Sequence, residues 1–316
     1  MKTLTFSRHD RMPVIGLGTW KSKPGEVYDA VISALELGYR HIDCAAVYGN
    51  EAEIGQALRQ CMNTGIVKRE ELWITSKLWC DSFAPEDVTP AFEKTLLDLQ
   101  LDYLDLYLLH WPIPLKRGQG MRTAADFVDP KKQPIIETWR ALEALVGQGQ
   151  VRHIGVSNFT VKKLGALMAQ ADIGPELNQV ELHPYLQQPT LRAFCRENDI
   201  HLTAYSPLGS GDRPRALKME GEPQLLQDPV VLELAKQLNA TPAQVLLSWA
   251  IHLGISCIPK SVTEARLKEN LAAESVVLSA EMLQKLEQLD LARRYISGEF
   301  WLVEDGYYTL ADIWDD

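Results

Sequence analysis

One structural unit repeats eight times along the chain: an apolar strand that ends in polar or aromatic residues, a turn, and an amphipathic helix. The predicted strands cover residues 14–19, 40–45, 72–78, 103–110, 151–157, 177–181, 200–205 and 255–259. Strict alternation of strand and helix predicts an α/β fold with a parallel sheet covered by helices. Eight such units in about 260 residues fit a closed (β/α)8 TIM barrel.

The pattern predicts a single barrel domain over residues 1–316. A doubly wound open sheet is the alternative, and it is disfavoured because no Gly-x-Gly-x-x-Gly follows any strand. Residues 1–13 are expected to form a β-hairpin at the base of the barrel. Residues 244–252 and 280–289 are expected to form two extra helices on its outside.

Three segments are longer than a tight connection requires: residues 113–134, 209–229 and the tail 291–316. The first two follow the C-terminal ends of strands, where long loops usually act as functional lids. The tail carries several large aromatic residues, among them Trp301, Tyr307, Tyr308 and Trp314. We therefore expect it to dock as a loop over the active site.

Composition excludes several classes of protein. The formal net charge of −10 lacks the basic surplus of a nucleic-acid-binding protein. No apolar run is long enough to span a membrane, and the N-terminus lacks a secretory apolar segment. The five cysteines are scattered without metal-ligand spacing, so we expect reduced thiols, no metal site and a cytoplasmic location.

Polar residues of four chemical types stand at the ends of consecutive strands. Asp43 ends the second strand with Tyr48 just beyond it, Lys77 is near the end of the third, and His110 ends the fourth. Catalytic groups of a barrel come from the C-terminal ends of its strands. Each residue alone has an ordinary structural explanation, but their coincidence at one mouth, beside several tryptophans, indicates a catalytic cluster.

These residue types suggest a proton-transfer mechanism. Free tyrosine titrates near pH 10, and an adjacent ammonium such as Lys77 should lower the pKa of Tyr48. Asp43 would hold Lys77 in its charged form, and Tyr48 could then act as a general acid or base. His110 could donate a hydrogen bond to a carbonyl oxygen. Since no acyl nucleophile is present, the cluster requires a hydride source.

The later strands offer residues that could bind such a source. Asn158 and Gln179 have amide side chains suited to a nicotinamide carboxamide, and Tyr205 could stack on the ring. Lys260 and Arg266 beside a predicted helix N-terminus could form an anion site. A solvated helix face is the alternative explanation for these two cations.

Several motifs together resemble the aldo-keto reductase superfamily, over roughly residues 11–289. The matching segments are 38–55, 109–112, 155–159, 178–185, 203–210 and 258–270, in the order that the family shows. The resemblance implies a barrel that binds NADPH without a Rossmann fold. It also implies a catalytic tetrad of Asp43, Tyr48, Lys77 and His110, with Tyr48 as the proton donor.

The resemblance also implies ligand-binding residues. Ser157, Asn158 and Gln179 would hold the carboxamide, while Asp212 would close a belt over the pyrophosphate toward Lys21 and Lys260. The implied cofactor-binding residues are Gly18, Thr19, Trp20, Lys21, Asp43, Ser157, Asn158, Gln179, Tyr205, Ser206, Pro207, Leu208, Ser210, Asp212, Lys260, Ser261, Val262, Arg266, Glu269 and Asn270. The implied substrate-pocket residues are Trp20, Val47, Trp79, His110, Trp111 and Trp301.

Within the superfamily, the Arg294-Tyr295-Ile296 sequence is similar to that of the NADPH-dependent aldehyde and alcohol reductases. No Lys or Arg follows Arg294, so we expect neutral aromatic, aliphatic or dicarbonyl substrates rather than acidic ones. A non-catalytic NADPH-binding regulatory protein and a Schiff-base aldolase built on Lys77 are the alternatives. The resemblance implies a monomer, with neither nucleic acid nor membrane as a partner.

Overall fold

The predicted strands form one parallel sheet that closes on itself. The computed structural model describes residues 1–118, 120–215 and 218–315. Its parallel strands are β3 (Leu17–Gly18), β4 (His41–Asp43), β5 (Trp73–Leu78), β6 (Leu104–Leu109), β7 (Val151–Ser157), β8 (Leu177–Glu181), β9 (His201–Tyr205) and β10 (Ser256–Cys257). Bridges from Ile15 to Cys257 and from Gly18 to Lys260 join the first strand to the last. The (β/α)8 barrel is confirmed.

Helices follow the strands as the apolar spacing predicts. Their bounds are α1 (Glu26–Glu36), α2 (Glu51–Asn63), α3 (Pro85–Leu99), α4 (Ile135–Gly147), α5 (Val161–Met168), α6 (Pro189–Glu197), α7 (Pro229–Leu238), α8 (Pro242–His252), α9 (Glu264–Leu271), α10 (Ala280–Glu287) and α11 (Leu310–Trp314). In α1, the residues at helical spacing from Val27 to Leu35 are buried on one face. None of the described helices combines the length and apolar character needed to cross a bilayer.

Besides α11 in the tail, two of the described helices are additional to the eightfold repeat, and one of them differs from the sequence prediction. Residues 245–251 of α8 are all buried, and α8 packs against β10. Helix α7 instead packs against α8 and α10. The extra outer helices are therefore α7 and α10, and the assignment of residues 244–252 as an extra outer helix is wrong, because residues 245–251 of α8 are buried on every side of the helix, against the barrel and its neighbours.

A hairpin of β1 (Thr3–Thr5) and β2 (Arg11–Pro13) lies at the end of the barrel where the strands begin. Phe6 and Met12 form a separate apolar cluster with residues that include Trp73 and Leu177. The hairpin is also held by His153, whose ring nitrogens contact carboxylate oxygens of Asp10 and Glu176 at 3.0 and 2.8 Å. With this end closed, the cavity can open only at the C-terminal ends of the strands.

Glu51, in the first turn of α2, is a buried carboxylate close to β5. It is 3% exposed and accepts hydrogen bonds from Ser76 Oγ at 2.5 Å and Thr95 Oγ1 at 3.1 Å. Burial raises the pKa of Glu51 to about 7, because these two hydroxyls only partly replace water. Between about pH 4.5 and 7 the folded chain keeps a proton that the unfolded chain has lost, so Glu51 makes stability fall as pH rises.

We predict that Glu51→Gln removes this pH dependence. The free energy of unfolding of the variant, relative to wild type, should improve by about 3 kcal/mol between pH 4 and pH 8, measured by urea denaturation. Glu86→Gln, at an exposed position in the first turn of α3, is the matched control and should show no such change. An unchanged difference between Glu51→Gln and wild type across this range would contradict the assignment.

Candidate active site

Four predicted catalytic residues meet at the C-terminal mouth of the barrel. Asp43 ends β4, Lys77 lies in β5, His110 follows β6, and Tyr48 ends a short 3-10 turn after β4. Lys77 Nζ lies 2.5 Å from Asp43 Oδ1 and 3.4 Å from Tyr48 Oη. The Tyr48 and His110 rings pack edge to face, with centroids 5.7 Å apart. The structure thus brings together the four groups that the strand ends predicted.

Lys77 is a fully buried cation held by oxygen atoms. Besides Asp43 and Tyr48, its ammonium donates to the carbonyl of Cys44 at 2.8 Å. Burial is the largest single effect and would lower the pKa of Lys77, but the charge and hydrogen bond of Asp43, together with Tyr48 and Cys44, raise that pKa above its ordinary value. The amine is therefore charged at neutral pH, which makes it an electrostatic group and not a nucleophile.

Tyr48 has a higher pKa than the sequence analysis expected. Lys77 does lower the pKa of the phenol, but burial acts in the opposite direction and is the larger effect, so the pKa of Tyr48 rises to about 12. The predicted net lowering is wrong, because residue types alone do not show how deeply the hydroxyl is buried. At neutral pH Tyr48 carries its proton and can donate it.

His110 is a neutral imidazole. Burial, and to a lesser extent the charge of Lys77, keep the pKa of His110 well below its ordinary value. The ring packs edge to face against Trp79 at 5.2 Å, and the backbone carbonyl accepts from Asn158 Nδ2 at 3.0 Å. Among the described residues, Nδ1 has no hydrogen-bond partner. His110 can donate one hydrogen bond without competing as a second proton source.

A cavity of about 710 Å³ opens in front of these groups. Its volume lies in the usual range of small-molecule and cofactor sites. The predicted cofactor residues that line it are Gly18, Thr19, Trp20, Lys21, Asp43, Ser157, Asn158, Gln179, Tyr205, Ser206, Pro207, Leu208, Ser210, Asp212, Lys260, Ser261, Val262 and Arg266. The cavity is therefore built from almost all of the strand ends identified in the sequence.

Polar side chains form a connected network from Asp43 to Tyr205. Gln179 Nε2 donates to Asp43 Oδ2 at 2.7 Å, and Ser157 Oγ donates to the Gln179 carbonyl at 2.8 Å. Tyr205 Oη donates to Asn158 Oδ1 at 2.7 Å, with Asn158 in a left-handed backbone conformation at φ 63°. The amides are thus fixed beside the catalytic cluster before any ligand binds.

Cations gather at another part of the cavity. Lys260 is half-buried, whereas Arg266 is exposed near the start of α9, whose N-terminus favours anions. Lys21 Nζ pairs with Asp212 Oδ1 at 2.8 Å and contacts Ser210 Oγ at 3.3 Å. Burial lowers the pKa of Lys21 despite this pair. The Lys21–Asp212 contact joins the loop of residues 209–229 to the opposite wall.

Two predicted cofactor residues do not line the cavity. The side chain of Glu269 accepts from the hydroxyl of Thr241, the N-cap residue of α8, at 2.5 Å. Asn270 is buried, with 3% of its surface exposed. Contacts within the protein account for the position of Glu269, so the structure gives it a role in joining α8 to α9.

The part of the cavity nearest His110 is aromatic and apolar. Trp20, Val47, Trp79 and Trp111 line it as predicted, whereas Trp301 lies behind Trp79, stacked on it at 5.7 Å. The sequence analysis missed several lining residues, namely Met121, Gly211, Leu226, Ile258, Pro259, Thr263, Ile296 and Phe300. Most lie in the three long segments; the available signals were the positions of two of them after strand ends and the aromatic residues of the tail.

The tail docks on the barrel, as its aromatic residues predicted. Trp314 Nε1 donates to the carbonyl of Ser297 at 2.6 Å, and the guanidinium of Arg294 lies 3.6 Å from the centre of a Trp314 ring. Asp315 accepts from Lys163 Nζ at 2.6 Å, near the N-terminus of α5. These contacts hold residues 296–301 against the mouth of the barrel.

Comparison with known proteins is consistent with this geometry. The model of the Aldo/keto reductase family matches residues 14–291. The chain belongs to this family. It is 52% identical over 317 residues to Aldo/keto reductase slr0942 of Synechocystis, covering 100% of the chain and 97% of that protein. It is 50% identical to bovine aldo-keto reductase family 1 member A1 over 289 residues, 90% of the chain and 88% of that protein.

A solved structure shows the same architecture. The aldose reductase of Schistosoma japonicum superimposes with a TM-score of 0.87 at 40% identity, over 95% of the chain and 96% of that protein. This aldo/keto reductase is therefore an oxidoreductase on a (β/α)8 barrel. NAD(P)H is the general cofactor class of the family, and small carbonyl compounds are its general substrates.

We predict that Asp43→Asn destabilises the fold, because it leaves the Lys77 ammonium buried without its counter-charge. The free energy of unfolding should fall by about 3–5 kcal/mol at pH 7. Without Asp43 the pKa of Lys77 falls, the amine can become neutral at a lower pH, and the variant should recover part of its deficit by pH 9.5. Thermal unfolding at both pH values measures this change.

The matched control is Asp98→Asn, which breaks the pair between Lys94 and Asp98 on α3, where Lys94 is 71% exposed. This control substitution should lower the free energy of unfolding by at most about 1 kcal/mol at either pH. If Asp43→Asn lowered the stability no more than the control does, the buried pair would not be a structural requirement of the site.

Proposed function

We propose that this aldo/keto reductase reduces aldehydes, and some ketones, to alcohols with NADPH. The observation that carries the proposal is the position of Tyr48: its hydroxyl faces the cavity 3.4 Å from a lysine whose charge Asp43 maintains. A phenol in this position is protonated at neutral pH and can release its proton beside a positive charge. A carbonyl reductase needs such a group.

The chemistry of the cavity lining fits NADPH. Ser157, Asn158 and Gln179 would hold the carboxamide, and Tyr205 would stack against the nicotinamide ring. Lys260, Ser261 and Arg266 would bind the adenosine 2′-phosphate, which favours NADPH over NADH. When bound, the cofactor would supply a hydride to the carbonyl carbon of the substrate.

The residues of the chain would handle the oxygen atom and the proton. His110 would donate a hydrogen bond to the carbonyl oxygen and polarise it. Tyr48 would transfer its O–H proton to that oxygen as negative charge develops there. Lys77 would stabilise the phenolate left behind, and Asp43 would keep Lys77 charged. The phenol then regains a proton from solvent before the next turnover.

The proposed substrates are neutral aromatic, aliphatic or dicarbonyl compounds. The walls near His110 are apolar, formed by side chains such as Trp20, Trp111 and Phe300. No Lys or Arg follows Arg294, and Arg294 itself lies over Trp314. An acidic substrate would gain no cationic partner from the tail.

The alternatives are less consistent with the site. A Schiff-base aldolase would need Lys77 neutral and accessible, yet it is 0% exposed and held by three oxygen atoms. A non-catalytic NADPH-binding protein would not require the proton-donor arrangement at Tyr48. A cytoplasmic location is supported by five free cysteines, and the monomeric state stays a prediction.

We predict that Tyr48→Phe lowers kcat/KM for 4-nitrobenzaldehyde by at least 10²-fold, since general acid catalysis contributes about 10²–10⁴-fold. NADPH binding should persist, because the variant loses only the hydroxyl group. NADPH absorbance measures turnover, and fluorescence titration measures binding. Tyr307→Phe, in the exposed part of the tail, is the control. Near-wild-type reduction by Tyr48→Phe would show that another group supplies the proton.

We predict that Lys260→Ala combined with Arg266→Ala weakens NADPH binding by about 10²-fold and NADH binding much less. Each cation would lose one charge-assisted contact to the 2′-phosphate, worth about 1.5–3 kcal/mol. Lys268→Ala, on the same helix, is the matched control. Equal losses for NADPH and NADH would contradict the phosphate assignment.

A further inference from the structure

Glu181, at the end of β8, is a buried carboxylate that does not line the cavity. It is 0% exposed, and its oxygens accept from the backbone amides of Tyr295 at 2.7 Å and Ile296 at 2.8 Å. His183 Nε2 contacts the same carboxylate at 2.8 Å. Burial would raise the pKa of Glu181, but His183 and the two amides hold that pKa below its ordinary value. The start of the tail is thus fixed to a barrel strand by a buried charge.

Tyr295 extends this anchor to the loop of residues 209–229, which we call the strap. Its hydroxyl donates to the carbonyl of Pro223 at 2.7 Å, and the guanidinium of Arg213 lies 4.7 Å from the ring centre. Gly209 has φ 83°, and a Cβ placed there would lie 3.2 Å from Tyr295 Cε2. Tyr295 therefore contacts the strap at its beginning, at Arg213 and near its end.

The two segments that meet at Tyr295 reach different parts of the cavity. On the strap, Asp212 precedes Arg213 and pairs with Lys21 near the predicted phosphate-binding cations. On the tail, Ile296 follows Tyr295 and lines the cavity, as does Phe300. The Tyr295 side chain, which does not itself line the cavity, thus connects the wall proposed to bind the cofactor with the wall proposed to bind the substrate.

We propose that Glu181 and Tyr295 are positioning residues that couple the strap to the tail, so that cofactor binding and carbonyl binding strengthen each other. The inference rests on the proposed function. Strap contacts with the cofactor fix Tyr295, and Tyr295 fixes the backbone of Ile296 in the substrate wall. By linkage, the effect on affinity is the same in both directions.

The test is Tyr295→Phe, which keeps the ring and removes only the hydrogen bond to Pro223. The dissociation constant of NADPH, from fluorescence titration, should rise by about fivefold, as expected for one lost hydrogen bond. The KM for 4-nitrobenzaldehyde at saturating NADPH should rise with it, while kcat changes less than twofold. A rise in only one of the two constants, or in neither, would overturn the coupling.

A matched control is Tyr308→Phe in the same tail. The Tyr308 hydroxyl is buried, and it has no hydrogen-bond partner among the described residues. This variant should leave both constants at wild-type values. If it matched Tyr295→Phe, the effect would be a general loosening of the tail and the proposal would fail.

A double-mutant cycle tests the route through the strap. Asp212→Ala removes the pair with Lys21, and Asp212→Ala combined with Tyr295→Phe should raise the NADPH dissociation constant less than the product of the two single effects. Independent effects would show that Tyr295 does not act through the strap. A wild-type protein that neither binds NADPH nor reduces the aldehyde would instead refute the proposed function, so the two failures are distinguishable.

Discussion

The buried ion pair between Lys77 and Asp43 is the interaction on which the site depends. A lone ammonium in this position would be strongly destabilising, so the fold must bring a carboxylate and two further oxygens to it. The parallel register of β4 and β5 does this, with Asp43 opposite Thr75 and Lys77 two residues further along. Asp43 also accepts from Gln179, so one carboxylate orients both Lys77, beside the proposed proton donor Tyr48, and the amide network.

Burial and neighbouring charge together set the protonation states of this cluster: they oppose each other at Lys77 and Tyr48 and act in the same direction at His110. For Lys77 the charge and hydrogen bond of Asp43, with smaller contributions from Tyr48 and Cys44, together exceed the effect of burial, and the pKa rises; for His110 burial and the charge of Lys77 both lower the pKa. For Tyr48 burial exceeds the effect of Lys77, so the pKa also rises. The result is one cation, one neutral imidazole and one protonated phenol at neutral pH. Those are the states that proton donation to a carbonyl oxygen requires.

The sequence analysis predicted the site residues that lie at strand ends. It did not predict the pKa shift that depends on side-chain burial, or the lining residues that lie in loops. Asp43, Lys77 and His110 could be placed because successive parallel strands deliver their C-terminal residues to one edge. The net pKa of Tyr48 could not be predicted, because residue spacing does not report burial. Ile296 and Phe300 were missed because no periodicity relates a tail to the barrel that it covers.

The helix assignment failed for a related reason. Residues 245–251 of α8 are apolar except for Ser248, and such a run marks a buried helix, but it does not say which barrel strand the helix covers. The resemblance implies that Glu269 binds the cofactor, and this stays a prediction; in the structure its side chain contacts the cap of α8. The error in the helix assignment arose where contacts between helices, rather than between strand ends, determine the position of a segment.

The barrel strands and the long loops of this aldo/keto reductase differ in how readily they tolerate substitutions. The tetrad is held by strands and by a buried ion pair, so few substitutions there are tolerated without cost to the fold. The apolar wall near His110 includes Met121, Ile296 and Phe300, which lie in the long connection after β6 and in the tail. These segments can change side chains without disturbing Asp43 or Lys77. Because Glu181 fixes the tail through backbone amides, the anchor constrains where the wall stands but not which side chains form it.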